Sequence, residues 1–217
     1  MKKFLSHNWL VHKINLQSVL CTLDYIEGDL LDIGCGKKPY LEVLNPFVNN
    51  YIGFEHPNTL HINNKIDVLG DGCRLPFKNT SFDTVVSFQV LEHINEPNEM
   101  LAEIHRVLKI DKYLILTTPF MWGVHEAPID FYRYTRYGLN HLLEKNGFEV
   151  VEIKANSGYW TTAGLRFNYN LIRFGTSYLK YFLSPIFFLV QILSITFDKF
   201  DRNESDTAGY ITIAKKK

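Results

Sequence analysis

Three acids, Asp32, Glu55 and Asp71, each stand within or at the end of an apolar run that glycine or proline then closes. After Asp32 come Gly34 and Gly36, which bracket one residue. Glycine reaches positive φ without a Cβ clash and lets a ligand approach the backbone. Glu55 ends the run Tyr51-Ile-Gly-Phe-Glu. A carboxylate at such a strand end is placed to accept both hydroxyls of a ribose. Asp71, between Gly70 and Gly72, can accept from an exocyclic amine while a neighbouring N–H meets a ring nitrogen. Together the acids describe an adenosine site. Taken singly they have plainer readings: a core strand with an ordinary turn, an exposed strand-end acid, a turn-forming aspartate. Their recurrence after successive strands favours the site.

Two histidines have the chemistry of a proton acceptor for a hydroxyl or amine, His93 and His125. For His93 the plainer reading, a capping or packing role, is preferred. His125 lies in Thr118–Thr135, a long aromatic and charged connection unlike a mere linker. His125-Glu126 with Asp130 raises a metal site, but the spacing is no recognised ligand set, and metal is set aside.

These groups need a scaffold that brings strand ends together. Strands are predicted at Asp29–Ile33, Tyr51–Glu55, Ile66–Leu69, Phe82–Phe88, Tyr113–Thr117, Phe148–Ile153 and Ala208–Ala214. Helices are predicted over Trp9–Tyr25, over Lys37–Phe47 with Pro39 near its start, over the stretch capped by Asn95 with Pro97 in its first turn, and over Tyr137–Lys145 capped by Thr135. A full helix between the second and third strands is not expected. Alternation of this kind means an α/β fold with a doubly wound parallel sheet, which binds ligands outside the carboxyl ends of its strands. Asp32, Glu55, Asp71 and the Ser87–His93 stretch all fall there.

Four runs, Leu31-Asp-Ile-Gly-Cys-Gly36, Tyr51–Glu55, Gly70-Asp-Gly-Cys-Arg-Leu-Pro-Phe77 and Ser81–His93, resemble the class I S-adenosylmethionine-dependent methyltransferases, type 11 group. Glu103–Lys109 and Asn146–Val151 are similar too, so the likeness covers roughly residues 25–155 in order. The resemblance implies a seven-stranded Rossmann-like sheet in order 3-2-1-4-5-7-6 with the last strand antiparallel, and S-adenosyl-L-methionine as cofactor. It implies that Asp32, Gly34, Cys35 and Gly36 border the methionine part, and that Glu55 holds the ribose. Asp71 and Gly72 would meet adenine, with Phe88 and Gln89 lining the floor. Lys37-Lys38 depart from the pattern and stand where the methionine end should pass. The competing readings are a nicotinamide-dependent oxidoreductase, whose third glycine is here Pro39, and a catalytically inactive binding module. The character of the His125–Tyr134 stretch resembles methyltransferases of glycan and cell-envelope functions, which points to a small-molecule, glycan or lipid-linked acceptor.

Composition is that of a folded globular protein: 46% of residues are hydrophobic and 21% charged, with zero formal net charge. No global field favours nucleic acid or an anionic membrane, and Lys215–Lys217 read as a solvated tail. Three scattered cysteines without CxxC spacing fit a reducing compartment, and the N-terminal lysines lack a signal peptide's apolar core. The expectation is a cytoplasmic protein, residues 1–217 forming a single domain with a hydrophobic helical insertion at 159–203. Ser184-Pro185 is read as the start of the insertion's second helix, and Tyr181–Phe197 holds no charge. A helix from Pro185 to Phe200 would span only about 24 Å, short of a hydrocarbon core of about 30 Å. A single crossing would also put the last strand on the wrong side of the membrane from its sheet. The stretch 181–200 is therefore expected to touch a membrane surface at the inner face, with Arg166, Arg173 and Lys180 toward the lipid, to cover a hydrophobic or lipid-linked substrate, or to form a homodimer.

Overall fold

The computed structural model describes residues 2–58, 64–175 and 179–217, with residues 2, 3 and 179–181 as backbone only. Seven strands form one sheet in the order β3-β2-β1-β4-β5-β7-β6. They are β1 (Asp29–Ile33), β2 (Asn50–Glu55), β3 (Val68–Leu69), β4 (Phe82–Phe88), β5 (Leu108–Pro119), β6 (Phe148–Ala155) and β7 (Gly209–Lys216). The central strand β1 pairs in parallel with β2 and β4, and Leu30, Leu31, Asp32 and Ile33 are all buried. A near-continuous apolar run is what a strand covered on both faces requires. Strand β7 runs antiparallel to its neighbours. Phe120 and Met121 donate to Ala208 and Thr207 in turn, and Asn156 pairs with Gly209 while Glu149 faces Lys217 at the other end.

Of the helices around the sheet, α2 (Leu41–Leu44) is shorter than the sequence suggests, and α1 (Trp9–Leu20) ends before Tyr25. Helix α3 (Pro97–Val107) buries Met100, Leu101, Ile104 and Val107, an i, i+4, i+7 stripe, as expected. Its N-cap is Glu96, not Asn95, and the cap makes no side-chain hydrogen bond. Helix α4 (Arg136–Lys145) begins as expected, with the Thr135 hydroxyl accepting the Gly138 N–H at 3.0 Å. Among the described residues between β2 and β3 there is no helix; the middle of that connection, 59–63, lies outside them.

The three-lysine terminus is not a solvated tail. Lys216 is 6% exposed, and its ammonium donates to the carbonyls of His105 and Leu108, while Lys215 pairs with Asp111. Strand β7 runs through Lys215 and Lys216, whose ammonium groups meet the His105 carbonyl at the end of α3 and the Leu108 carbonyl and Asp111 of β5.

Contacts divide the chain into two compact units. One holds residues 19–119, 123–154 and 210–217, and therefore nearly all of the sheet. Its core gathers Val19, Ile26, Leu30, Leu44, Val86, Ile115 and Ile211. The other holds residues 1–18, 120–122 and 155–209, within which the expected insertion falls whole. In that second unit α5 (Tyr159–Leu171) and α6 (Leu179–Phe200) form a hairpin. Asp198 near the end of α6 accepts the N–H groups of Gly158 and Trp160 and so caps α5. Gly164 admits the Ser194 hydroxyl so closely that a Cβ there would lie 1.9 Å from it.

Helix α6 corrects the sequence reading. It starts at Leu179 and carries Pro185 inside it, so Ser184-Pro185 do not begin it. Its 22 residues span about 33 Å, and Phe182–Phe200 is long and apolar enough to cross a membrane. The argument from length therefore fails. The argument from connectivity stands: α5 leaves from, and α6 returns to, the Asn156–Gly209 pair.

Candidate active site

The loop after β1 turns back on β2, with the N–H groups of Gly34 and Cys35 both donating to the Phe54 carbonyl. Gly34 and Gly36 have φ of +74° and +49°, the left-handed region that favours glycine. They differ in surroundings. A Cβ on Gly34 would lie 2.2 Å from a Val90 methyl, whereas a Cβ on Gly36 would meet nothing within 4 Å among the described residues. The Gly36 N–H donates to Glu55 Oε2 at 2.9 Å, and Glu55 Oε1 accepts the His56 N–H at 2.9 Å. Each oxygen of Glu55 keeps a lone pair for a further donor, as a ribose diol requires.

Asp32 is buried, and burial pushes its carboxyl up to about 7, against the Tyr51 hydroxyl and Lys38, which hold it down. The same burial, with Asp32 beside it, raises the Tyr51 phenol. Tyr40 also senses Asp32 and packs edge-on to Phe88 at 5.1 Å. Cys35 is buried, its thiol raised to about 12 by burial and by Asp32 and Glu55, which makes it inert.

Lys37 and Lys38 do not crowd Gly36. Lys37 is exposed, and Lys38, with φ of +51°, folds over Gly53 to pair with Asp67, its ammonium 5.1 Å from the Tyr51 ring centre. Tyr51, Asp67 and the pairing of Lys38 with Asp67 were missed from the sequence. The only signal for them was alternation along β2, which says that Tyr51 and Gly53 share a face.

Gly70 donates to the Glu55 carbonyl, which brings Asp71 to the adjoining strand end. Asp71 is exposed, and its Oδ1 closes a turn onto the Cys73 N–H at 2.9 Å. Gly72 is buried. Phe88 ends β4 half-buried, and Gln89 holds φ of +59° while its N–H donates to Thr117. A non-glycine residue in that region is held there by its surroundings.

The second group of predicted residues also comes together. His93 and His125 stack edge-on with ring centres 4.8 Å apart. Residues 123–135 are clamped onto the Leu91–His93 turn: Phe131 and Tyr132 donate to the Glu92 carbonyl, Tyr134 to the Leu91 carbonyl, and the Ile129 carbonyl accepts from His93 Nδ1 at 2.8 Å. Asp130, whose side chain is 1% exposed, receives two bonds from Arg133 and one from the His125 N–H. The Arg133 guanidinium holds its carboxyl well below the usual range. Asp130 is thus committed to the loop.

A surface cleft of about 590 Å³ lies elsewhere, lined by Asp29, Asn50, Phe82 and neighbours at the amino ends of the strands. Ligands on sheets of this kind bind at the carboxyl ends, so the cleft is not the site.

Residues 31–116 match the family model described as a methyltransferase domain. A protein of Mycolicibacterium smegmatis named as a probable S-adenosylmethionine-dependent methyltransferase is 28% identical over 135 residues, which is 56% of this chain and 52% of that one. An uncharacterised protein of Methanocaldococcus jannaschii is 39% identical over 101 residues, covering 45% and 40%. The chain spans about half the length of these relatives. Among solved structures, a SAM-dependent methyltransferase from Archaeoglobus fulgidus superposes with a TM-score of 0.60 at 18% identity, covering 95% of this chain and 93% of its own, a likeness of fold.

Proposed function

We propose that this chain, a class I S-adenosylmethionine-dependent methyltransferase by its domain and fold, binds S-adenosyl-L-methionine at Gly34–Gly36, Glu55 and Asp71. It passes the methyl group to a small glycan or lipid-linked acceptor. The observation that carries the reading is the Glu55 carboxylate fixed on the N–H of Gly36, a glycine whose Cβ position meets nothing within 4 Å among the described residues. When bound, the cofactor supplies a methyl group on a positively charged sulfur. The chain's own residues then position and exclude water, the main contributions to an in-line displacement. Glu55 accepts the ribose hydroxyls, Asp71 the exocyclic amine through its free oxygen, and Asp32 offers a buried negative charge to the cationic end. The acceptor end is the pocket around His93 and His125, whose side chains are 13% and 31% exposed.

Calorimetry tests the cofactor with S-adenosylmethionine, its demethylated product and NAD on wild type and Glu55→Ala. The expected result is micromolar binding of the first two and at least a tenfold loss in the variant. Binding of NAD alone would overturn the reading in favour of an oxidoreductase. Binding of cofactor without methyl transfer to any cell-envelope extract would favour an inactive module.

The partner proposed for the α5–α6 hairpin is an anionic membrane surface at the cytoplasmic face. Helix α6 is inverted for a water-soluble helix. Leu183, Phe187, Gln191, Ser194 and Asp198 are buried, while Phe182, Phe188, Leu189, Leu193 and Phe200 are exposed, Phe182 and Phe200 by 77% and 85%. From residue 153 to 197 the charged side chains are all basic, Lys154, Arg166, Arg173 and Lys180, which complements anionic lipid. The Lys180 side chain lies outside the described residues. Phe187 faces inward, so the test replaces Phe182, Phe188 and Leu189 with serine. Flotation on vesicles containing phosphatidylserine or phosphatidylglycerol should be lost in that variant and weak on purely zwitterionic vesicles. A wild-type dimer that the variant dissolves, with no flotation, would replace the membrane by a second copy of the chain.

A further inference from the structure

The acid between Leu91 and His93 has no role in the reading so far, and its surroundings are unusual. Glu92 is 0% exposed, and among the described residues neither carboxylate oxygen has a hydrogen-bond partner apart from its own backbone. An unpartnered buried carboxylate costs several kcal/mol. Such groups are retained where something else supplies the missing partner. We infer that Glu92, His93 and His125 bind a divalent first-row transition-metal ion.

Three features of the geometry support this. One ligand atom from each of the three residues lies within 4.8 Å of the others. An ion at about 2.1 Å from each ligand holds tetrahedral ligands about 3.4 Å apart, so the loosest pair must close by up to about 1.4 Å. His125 sits on a loop that can supply this. His93 Nδ1 is 2.8 Å from the Ile129 carbonyl, which fixes the proton on Nδ1 and turns the Nε2 lone pair toward Glu92, 3.8 Å from Oε1. That distance is too long for a hydrogen bond and right for two ligands of one ion. His125 Nδ1 lies 3.4 Å from Asp130 Oδ2 and 3.4 Å from the Gly123 carbonyl, the acceptors for an Nδ1 proton that metal-binding imidazoles commonly have; with the proton there, Nε2 is the ligand.

The charge balance and donor set agree. Glu126 and Asp130 stand against Arg133 around Glu92, and Arg133 is already paired to Asp130, so the surroundings carry no excess positive charge to repel a divalent cation. Two imidazoles and one carboxylate suit zinc, cobalt, nickel, iron or manganese rather than magnesium or calcium, which prefer oxygen alone. Partial exposure of both histidines leaves a route in and open coordination positions toward solvent. With an ion on both imidazoles neither histidine is free to accept a proton from an acceptor. The site does not depend on the methyltransferase reading, and its test does not use activity.

The full chain is stripped with EDTA and titrated with Zn²⁺, Co²⁺ and Mg²⁺ by calorimetry, with bound metal counted by elemental analysis. The expected result is one Zn²⁺ or Co²⁺ per chain, no Mg²⁺, and binding at least about tenfold weaker in Glu92→Gln, His93→Ala and His125→Ala. The visible spectrum of the Co²⁺ form should show ligand-field bands without thiolate charge transfer. His125→Ala, on the exposed loop, keeps the test meaningful if Glu92→Gln fails to fold. No wild-type binding, binding that His125→Ala leaves unchanged, or binding lost on Cys21→Ser or Cys73→Ser would each overturn the site.

Discussion

The Glu55 carboxylate accepts the N–H of Gly36 at 2.9 Å, so the acid closing β2 and the second glycine after β1 form one unit. A side chain nineteen residues away thereby fixes the conformation of that loop. Changes at either residue should affect the ligand before they affect the fold.

Gly34 and Gly36 should separate these two effects. Gly34→Ala adds both a left-handed strain and a Cβ 2.2 Å from Val90, and should cost about 2–3 kcal/mol. Gly36→Ala adds strain alone, about 1 kcal/mol, but should weaken S-adenosylmethionine binding at least tenfold. Calorimetric melting and ligand titration on both variants check this. Full cofactor affinity in Gly36→Ala would mean that no ligand passes there.

Asp32 should make stability fall with rising pH. Its carboxyl holds a proton up to about 7 in the fold and only to about 4 when unfolded. Between those values the folded state binds more protons, so the Asp32 contribution worsens as pH rises and is at its worst above 7. Asp32→Asn should therefore gain on wild type from about pH 4 to 8, by at most about 4 kcal/mol. A cationic ligand takes the charged form, so affinity for S-adenosylmethionine should climb as pH passes 7. Parallel denaturation curves at each pH would refute the assignment.

Asp130 should behave in the opposite sense. Arg133 keeps its carboxyl depressed, so its stabilisation is present above about pH 4 and is lost as pH falls below that. Arg133→Ala leaves a carboxylate buried without its guanidinium and should cost about 3 kcal/mol. Hydrogen exchange should then quicken at Phe131 and Tyr132, whose N–H groups bond Glu92. Unchanged protection there would show that the loop does not rely on the pair.

Gly164 should prove the hairpin's tightest point. Gly164→Val forces a side chain onto the Ser194 hydroxyl and should lower the melting temperature by several degrees. Gly164→Ala paired with Ser194→Ala should recover part of the loss, because the nearest atom is then gone. Additive losses in the double variant would place the strain elsewhere.

Much of the fold was legible because it rests on local signals. Apolar runs closed by glycine, a Thr135 cap and the stripe Met100, Leu101, Ile104 and Val107 each need only neighbours in sequence to be read. Where the reading failed, a distant partner decided. Lys216 joins β7 because His105 and Leu108 offer it carbonyls more than a hundred residues away. Pro185 sits within α6 rather than at its start, a position that local capping preferences do not foretell.

The residue types and order alone determined the sheet, its strand order through resemblance, and the acids at its carboxyl ends, since period and turn chemistry are properties of the chain itself. Only the tertiary structure decided that Lys38 turns to Asp67, that α6 shows its apolar face outward, and that Glu92 lies buried between two histidines. Each of these depends on which groups meet across the fold, and burial and pairing energies exist only once they do.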